Sequence, residues 1–149
     1  MQRSITTDSP ASLPCVATSG TEIPALLHAA KTVAVVGISD KPDRASYGVS
    51  QYLLENSHFD LYFVNPLLER VLGQKVYKSL QDIPVHIDIV DVFRKPADCL
   101  QVLEESIEIG ASAIWLQLGI SVPEVGTRGE EAGLKVVMDR CIKIDYAAL

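Results

Sequence analysis

Residues 32–44 read TVAVVGISDKPDR, and the opening TVAVVGI decides the fold. It is rich in β-branched residues, apolar at odd and even positions alike, and closes on Gly37. A half-buried strand would alternate apolar with polar residues, so this one is buried on both faces. Strands of that kind belong to parallel sheets with helices on both sides. Gly37 supplies a sharp exit into a polar loop. Beyond it the pattern turns helical, with Val49, Tyr52 and Leu53 on one face.

The same unit recurs along the chain. Residues 60–65 (DLYFVN), 87–93 (IDIVDVF), 113–118 (AIWLQL) and 134–138 (LKVVM) are further strand-like runs. Leu100, Leu103 and Ile107 share a helical face, with Pro96 near its start and Gly110 after its end. Ser121 and Glu124 form an S-x-x-E box predicted to start the last helix. Gly126 and Gly129 weaken that helix by about 1 kcal/mol each relative to alanine. Strand and helix in alternation predict an α/β fold. The expected form is a doubly wound, mostly parallel five-stranded sheet, Rossmann-like, with helices on both faces. Residues 67–80 are less regular; 71–77 read as a short edge strand and 79–83 as a helical turn.

A chain of 149 residues predicts one domain with a real core. Its net charge of -6 argues against a general nucleic-acid binder, which needs a dense basic surface to displace counterions. No apolar run reaches the roughly 20 residues that cross a bilayer, so no membrane role is expected. Cys15, Cys99 and Cys141 are widely spaced and odd in number, which disfavours both a zinc site and a disulfide scaffold. Without a secretory signal, the expected location is cytoplasmic. Residues 1–20 are rich in Ser, Thr and Pro and have no apolar period, so they read as a flexible tail. The domain is predicted over residues 21–149. Thr21 is a candidate N-cap for a helix carrying Ile23, Leu26, Leu27 and Ala30.

In such a sheet, ligands bind beyond the carboxyl ends of the strands. Seven of the thirteen basic residues follow strand ends: Lys41, Arg44, Arg70, Arg94, Lys95, Arg140 and Lys143. The acids there are fewer: Asp40, Asp43, Glu69 and Asp139. This balance predicts an anionic, phosphate-bearing ligand. The first loop is not G-x-G-x-x-G, because Ser39 takes the second glycine position. Where NAD enzymes place an acid for the ribose, the second strand ends in Asn65-Pro66. NAD is therefore disfavoured. A ligand with a phosphorylated ribose, coenzyme A first and NADP second, fits better.

Ser39 reads as a phosphate or turn ligand before a nucleophile. His28, His58 and His86 fall away from the ligand edge and are not expected to act as bases. Cys99 and Trp115 are expected in the core. Asp91 is expected to make a buried polar contact between strand and helix. For Cys141, beside Arg140, burial in the core is preferred over a reactive thiol facing the cleft.

Several of these stretches together point to a family. VAVVGISDKPDRASYGV, YFVNP, VLGQKVYKSLQDIP, IDIVDVFRKP, AIWLQLGI and GLKVVMDRCIKID run from about residue 32 to residue 145. In them the chain resembles the small stand-alone CoA-binding domain proteins. Those are related in fold to the N-terminal CoA-binding domain of the succinyl-CoA synthetase alpha subunit. The resemblance implies a pyrophosphate held by Gly37, Ile38, Ser39 and Tyr47, with Lys41 and Arg44 as phosphate partners. It implies Asn65 and Pro66 near the adenosine, and Phe93, Arg94, Gln117, Leu118 and Gly119 along the cleft. The basic residue often found after V-N-P is replaced by Leu67-Leu68, so Arg70 is the candidate to supply that charge. Arg140 and Cys141 complete the candidate set from the last strand end.

The expected function is binding of coenzyme A or an acyl-CoA at the carboxyl edge of the sheet, non-catalytic or regulatory. Two alternatives stand beside it: an NAD(P)-binding oxidoreductase or redox sensor, and the ligand-binding subunit of a CoA ligase-like assembly. In the related ligase other domains carry the catalytic histidine, and this sequence holds no counterpart of them. A homo-oligomer or a protein partner is compatible with either CoA reading.

Overall fold

The structure, a computed structural model, describes residues 22–149. The predicted N-terminal tail and the Thr21 cap lie outside the described residues. Helix α1 (Ile23–Ala29) leads into β1 (Thr32–Val36), α2 (Ala45–Asn56) and β2 (Asp60–Val64). Then come β3 (Arg70–Val71), β4 (Gln74–Tyr77), a single 3-10 turn (Leu80–Asp82), β5 (Ile89–Val92) and α3 (Pro96–Glu108). The chain closes with β6 (Ala113–Leu116), α4 (Pro123–Glu131), β7 (Lys135–Val137) and α5 (Ile142–Ala147). The sheet order is β3-β4-β2-β1-β5-β6-β7. Every pairing is parallel except β3 with β4.

The predicted class holds, but the sheet has seven strands rather than five. The two extra strands come from the irregular stretch, where a single edge strand was expected. Val71 pairs with Gln74, so Leu72 and Gly73 form a two-residue turn, with φ of 53° and 74°. A leucine at positive φ is unusual, and a two-residue strand has no readable period. The five predicted runs are also longer than their strands. The last residues of each run lie beyond the strand, at the carboxyl edge of the sheet. In the third run, Asp88 stops short of β5 because its carboxylate accepts the backbone N–H groups of Lys31 (2.7 Å) and Thr32 (3.2 Å).

Side chains alternate between two cores. Val33, Val35, Phe63, Ile89, Trp115 and Val137 face α1, α2 and α5, where Leu27, Leu53 and Ile142 meet them. Ala34, Val36, Val90, Val92, Ile114, Leu116 and Val136 face α3 and α4, through Val102, Leu103 and Val125. Trp115 and Cys99 are fully buried, as expected. The S-x-x-E box does not start α4. Val122 is the N-cap, with no side-chain capping bond, and proline occupies the first turn. Proline's fixed φ and missing N–H place the start there, one residue beyond Ser121. Gly129 in α4 has a packing reason: an added Cβ would stand 2.7 Å from a methyl of Val136, so the helix can lie close on β7 only without one.

Asp91 departs from expectation. It is fully buried in the middle of β5, between Val35 of β1 and Trp115 of β6, yet neither carboxylate oxygen has a partner among the described residues. Burial pushes its pKa well above the ordinary carboxylate range. Ser50 on α2, which covers the same face, is also buried with its hydroxyl unpartnered. A raised folded-state pKa means that the native protein holds a proton the unfolded chain releases above about pH 4. Stability therefore falls as pH rises through that range, until the native carboxyl itself ionises. Asp91→Asn removes this titration. Urea unfolding from about pH 4.5 to pH 8 is expected to show the variant gaining on the parent as pH rises. Parallel curves for the two proteins would contradict a buried neutral acid.

Candidate functional site

The strand order reverses between β1 and β5: the chain leaves β1 for β2 on one side and enters β5 on the other. Loops beyond two such strands diverge and leave a crevice. Gly37 forms its floor, with φ of 90°. A Cβ at this position would lie 2.5 Å from the Phe93 carbonyl oxygen and 3.0 Å from Arg94 Cδ. The backbone here is tied on both sides, Gly37 N–H donating to Val64 O (3.0 Å) and Phe93 N–H to Val36 O (2.9 Å).

Two clefts meet over this floor, sharing Gly37, Phe93 and Arg94. The larger, about 570 Å³, runs toward β6 and β7. Ser39, Arg44 and Ser46 line it from the β1 side, Lys95 from the start of α3, and Gln117, Leu118 and Cys141 from the far side. The smaller, about 450 Å³, runs toward β2 and β4 and is lined by Asn65, Pro66, Leu67, Lys78 and Ser79. Helices α2 and α3 begin at the larger cleft, and neither has a side-chain cap on its first turn. Uncapped N–H groups and the positive end of the helix dipole favour anions there.

Local hydrogen bonds hold this edge in shape. Ser46 Oγ accepts the Ser39 N–H (3.0 Å) and Ser39 Oγ accepts the Lys41 N–H (3.1 Å), which folds the loop over α2. The Asn65 amide donates to Ile38 O (2.8 Å) and accepts from Leu67 N–H (2.8 Å). An ionised aspartate could not donate to Ile38 O, so the amide is needed to tie the β1 and β2 loops together. Gln117 Oε1 accepts the Ile142 N–H (3.2 Å), and Trp115 Nε1 donates to Arg140 O (2.8 Å). These two bonds fix the start of α5, where Cys141 is the N-cap.

Of the predicted residues, the structure brings Gly37, Ser39, Arg44, Asn65, Pro66, Phe93, Arg94, Gln117, Leu118 and Cys141 to the walls of the two clefts. Ile38 is fully buried in the core and Tyr47 is half-buried against it. Gly119 sits in a turn with φ of 88°, its N–H bonded to the Asp139 carboxylate (2.7 Å). Lys41 is exposed and lines neither cleft. Arg70 donates to Gly73 O (2.7 Å), which holds it at its own hairpin. Arg140 is held in a two-pronged pair with Asp145, at 2.7 and 2.8 Å. Lys143 lies over the Tyr52 ring. Arg94 pairs with Asp98 (3.1 Å) on a solvent-exposed helix turn, an arrangement that leaves it able to turn toward a ligand.

The preferred core placement for Cys141 is corrected: it is half-buried on the wall of the larger cleft. As the N-cap of α5 it packs against the core on one side and meets the cleft on the other. Sequence reasoning missed Lys78, Leu67 and Ile144. Lys78 directly follows β4, inside the 71–77 stretch that was read as an edge strand, but the parallel pairing of β4 with β2 that carries it to the cleft was not foreseen. Leu67 and Ile144 are apolar residues on an exposed rim, a signal that appears only once burial is known. His58 is bound to Tyr146 and Ala30 O, and His86 pairs with Asp88 at the opposite edge. Among the described residues no group of His, Cys, Asp and Glu side chains could hold a metal ion, and no helix is long and apolar enough to cross a membrane.

Known proteins share this fold. The chain is 40% identical over 129 residues to the protein YneT of Bacillus subtilis (strain 168), covering 87% of this chain and 95% of that one. It is 27% identical over 123 residues to the acetate–CoA ligase (ADP-forming) II subunit alpha of Pyrococcus furiosus, where the match covers 75% of this chain but only 27% of the subunit. A solved structure of a protein from Pyrococcus horikoshii OT3 superposes with a TM-score of 0.85 at 37% identity, covering 94% of this chain and 98% of that chain. Residues 31–147 match the family model described as a CoA binding domain, and with most of its length so matched the chain belongs to that family.

Proposed function

We propose that the protein binds coenzyme A or an acyl-CoA along the joined clefts and serves as a binding or regulatory module rather than a catalyst. One observation carries this reading: two clefts share Gly37, Phe93 and Arg94 at the switch point of the sheet, with two uncapped helix starts facing the larger one. The adenosine end lies in the smaller cleft against Asn65, Pro66 and Leu67, with Lys78 at its rim. The phosphates lie over Gly37 and Ser39, within reach of Arg44, Arg94 and Lys95. The pantetheine arm follows the larger cleft past Gln117 toward Cys141. No histidine lines either cleft, which removes the usual general base. The ligase relative supports a second reading, a CoA-holding component that works with a protein partner. Copurification of such a partner with the full chain would favour it.

Calorimetric titration with CoA, dephospho-CoA, NADP and NAD tests the ligand. A charged phosphate contact contributes about 1.5–3 kcal/mol, so loss of the 3′-phosphate is expected to weaken binding about 10- to 100-fold. Equal affinity for CoA and dephospho-CoA would count against the placement of the ribose. NAD bound more tightly than either would overturn the reading.

Substitutions locate the site. Arg94→Ala is expected to lower CoA affinity about tenfold while barely moving the unfolding midpoint, because its exposed pair with Asp98 adds little stability. Ser39→Ala is expected to weaken CoA binding by loosening the loop. Gly37→Ala should do more, destabilising the fold as well, since its Cβ meets backbone rather than a movable side chain. Unchanged affinity in both Arg94→Ala and Ser39→Ala would move the site elsewhere.

A further inference from the structure

We infer that the β6–β7 end of the larger cleft is a subsite for a neutral, apolar acyl group, so that a short aliphatic acyl-CoA binds better than free CoA. This rests on the CoA reading above and names the part of the ligand that the far end recognises.

The groove changes chemistry along its length, in step with the strand order. Its β2 end offers an amide, a proline and Lys78; its centre, over β1 and β5, offers Arg44, Arg94 and Lys95. Past β5 the wall is made by Leu118, Ile120, Cys141 and Ile144. Leu118 is 65% exposed and Ile144 61%, and with Leu67 at 86% they are the most exposed large apolar residues among those described. Leu118 and Ile144 line the larger cleft, whereas Leu67 lines the smaller one at the β2 end. Single exposed apolar residues are ordinary, but two on one cleft wall beside Ile120 and Cys141 mark a place where apolar ligand surface is covered.

The polar groups near this end are already engaged. Gln117 holds the Ile142 N–H, and Asp139 holds the Gly119 N–H. Arg140 is held by Asp145, and Lys143 lies over the Tyr52 ring. Among the described residues, the wall made by Leu118, Ile120, Cys141 and Ile144 itself carries no cation, so a carboxylate seated against it would lose hydration without an ion pair from that wall. An aliphatic chain loses nothing of that kind and removes apolar surface from water. Each buried methylene is expected to tighten binding about two- to fourfold until the cleft is filled.

The test is a titration of the full-length protein with CoA, acetyl-CoA, butyryl-CoA, hexanoyl-CoA and succinyl-CoA. Affinity is expected to rise from CoA to butyryl-CoA about tenfold, and succinyl-CoA to bind no better than CoA. In Ile144→Ser, and independently in Leu118→Ser, the ratio of butyryl-CoA to CoA affinity should fall toward one. Both residues are more than half exposed, so the variants should fold, and circular dichroism checks this. CoA bound with a flat acyl series overturns the acyl subsite and leaves the CoA reading standing. No binding of any thioester or of CoA overturns both. Preference for succinyl-CoA over butyryl-CoA overturns the inference as well. So does a dimer in sedimentation that Ile144→Ser dissociates without changing the affinity ratio, because the rim would then be covered by a second copy.

Discussion

The close approach of Gly37 to the Phe93 carbonyl organises the carboxyl edge of the sheet between β1 and β5. With no side chain at Gly37, the exits of β1 and β5 close to a distance that any Cβ would forbid. That closeness seats Arg94 beside the first loop and brings the starts of α2 and α3 to a common crevice. It also brings two clefts against the same three residues at the reversal point. The local backbone conformation, the tertiary approach and the anion-attracting chemistry are thus consequences of one missing methyl group.

Most of the fold was legible because a strand buried on both faces leaves a local mark. The runs around Val35, Val64, Val90, Ile114 and Val136 are apolar at consecutive positions, and no surface element has that reason to be. The β3–β4 hairpin was not legible, since it rests on Leu72 in a left-handed conformation and on a strand of two residues. At the site, Arg44, Arg94 and Ser39 could be placed from their position just past strand ends. Which cations are free could not be placed that way. Arg140 is neutralised by Asp145 because it stands just before the N-cap of α5 while Asp145 sits in that helix's first turn, and Arg70 is held by a turn that the sequence hides. Leu118 could be placed at the cleft only through the family resemblance, and the exposed Ile144 was not placed at all, because an apolar residue on a rim carries no local mark that separates it from a core residue.

Asp91 shows the limit of rules about buried polarity. Placing an acid in the central layer without a partner opposes folding, and burial holds it in its neutral form. It stands two residues before Phe93, on the strand that leads to the crevice. With the Ser50 hydroxyl on the covering helix, it makes the layer behind the cleft less uniform than the opposite core, where no such orphan occurs among the described residues.

The hairpin at the end of the sheet has a consequence for how the molecule behaves in a crowd of its own copies. An open parallel sheet ends in rows of unpaired backbone donors and acceptors that can recruit another strand. Here one border is a two-residue antiparallel strand with a charged, exposed residue at its start, and the other is the three-residue β7, which begins at exposed Lys135. Borders so short offer too few hydrogen bonds to template addition. The wide middle of the sheet can therefore keep an open, partly apolar mouth without the molecules joining edge to edge.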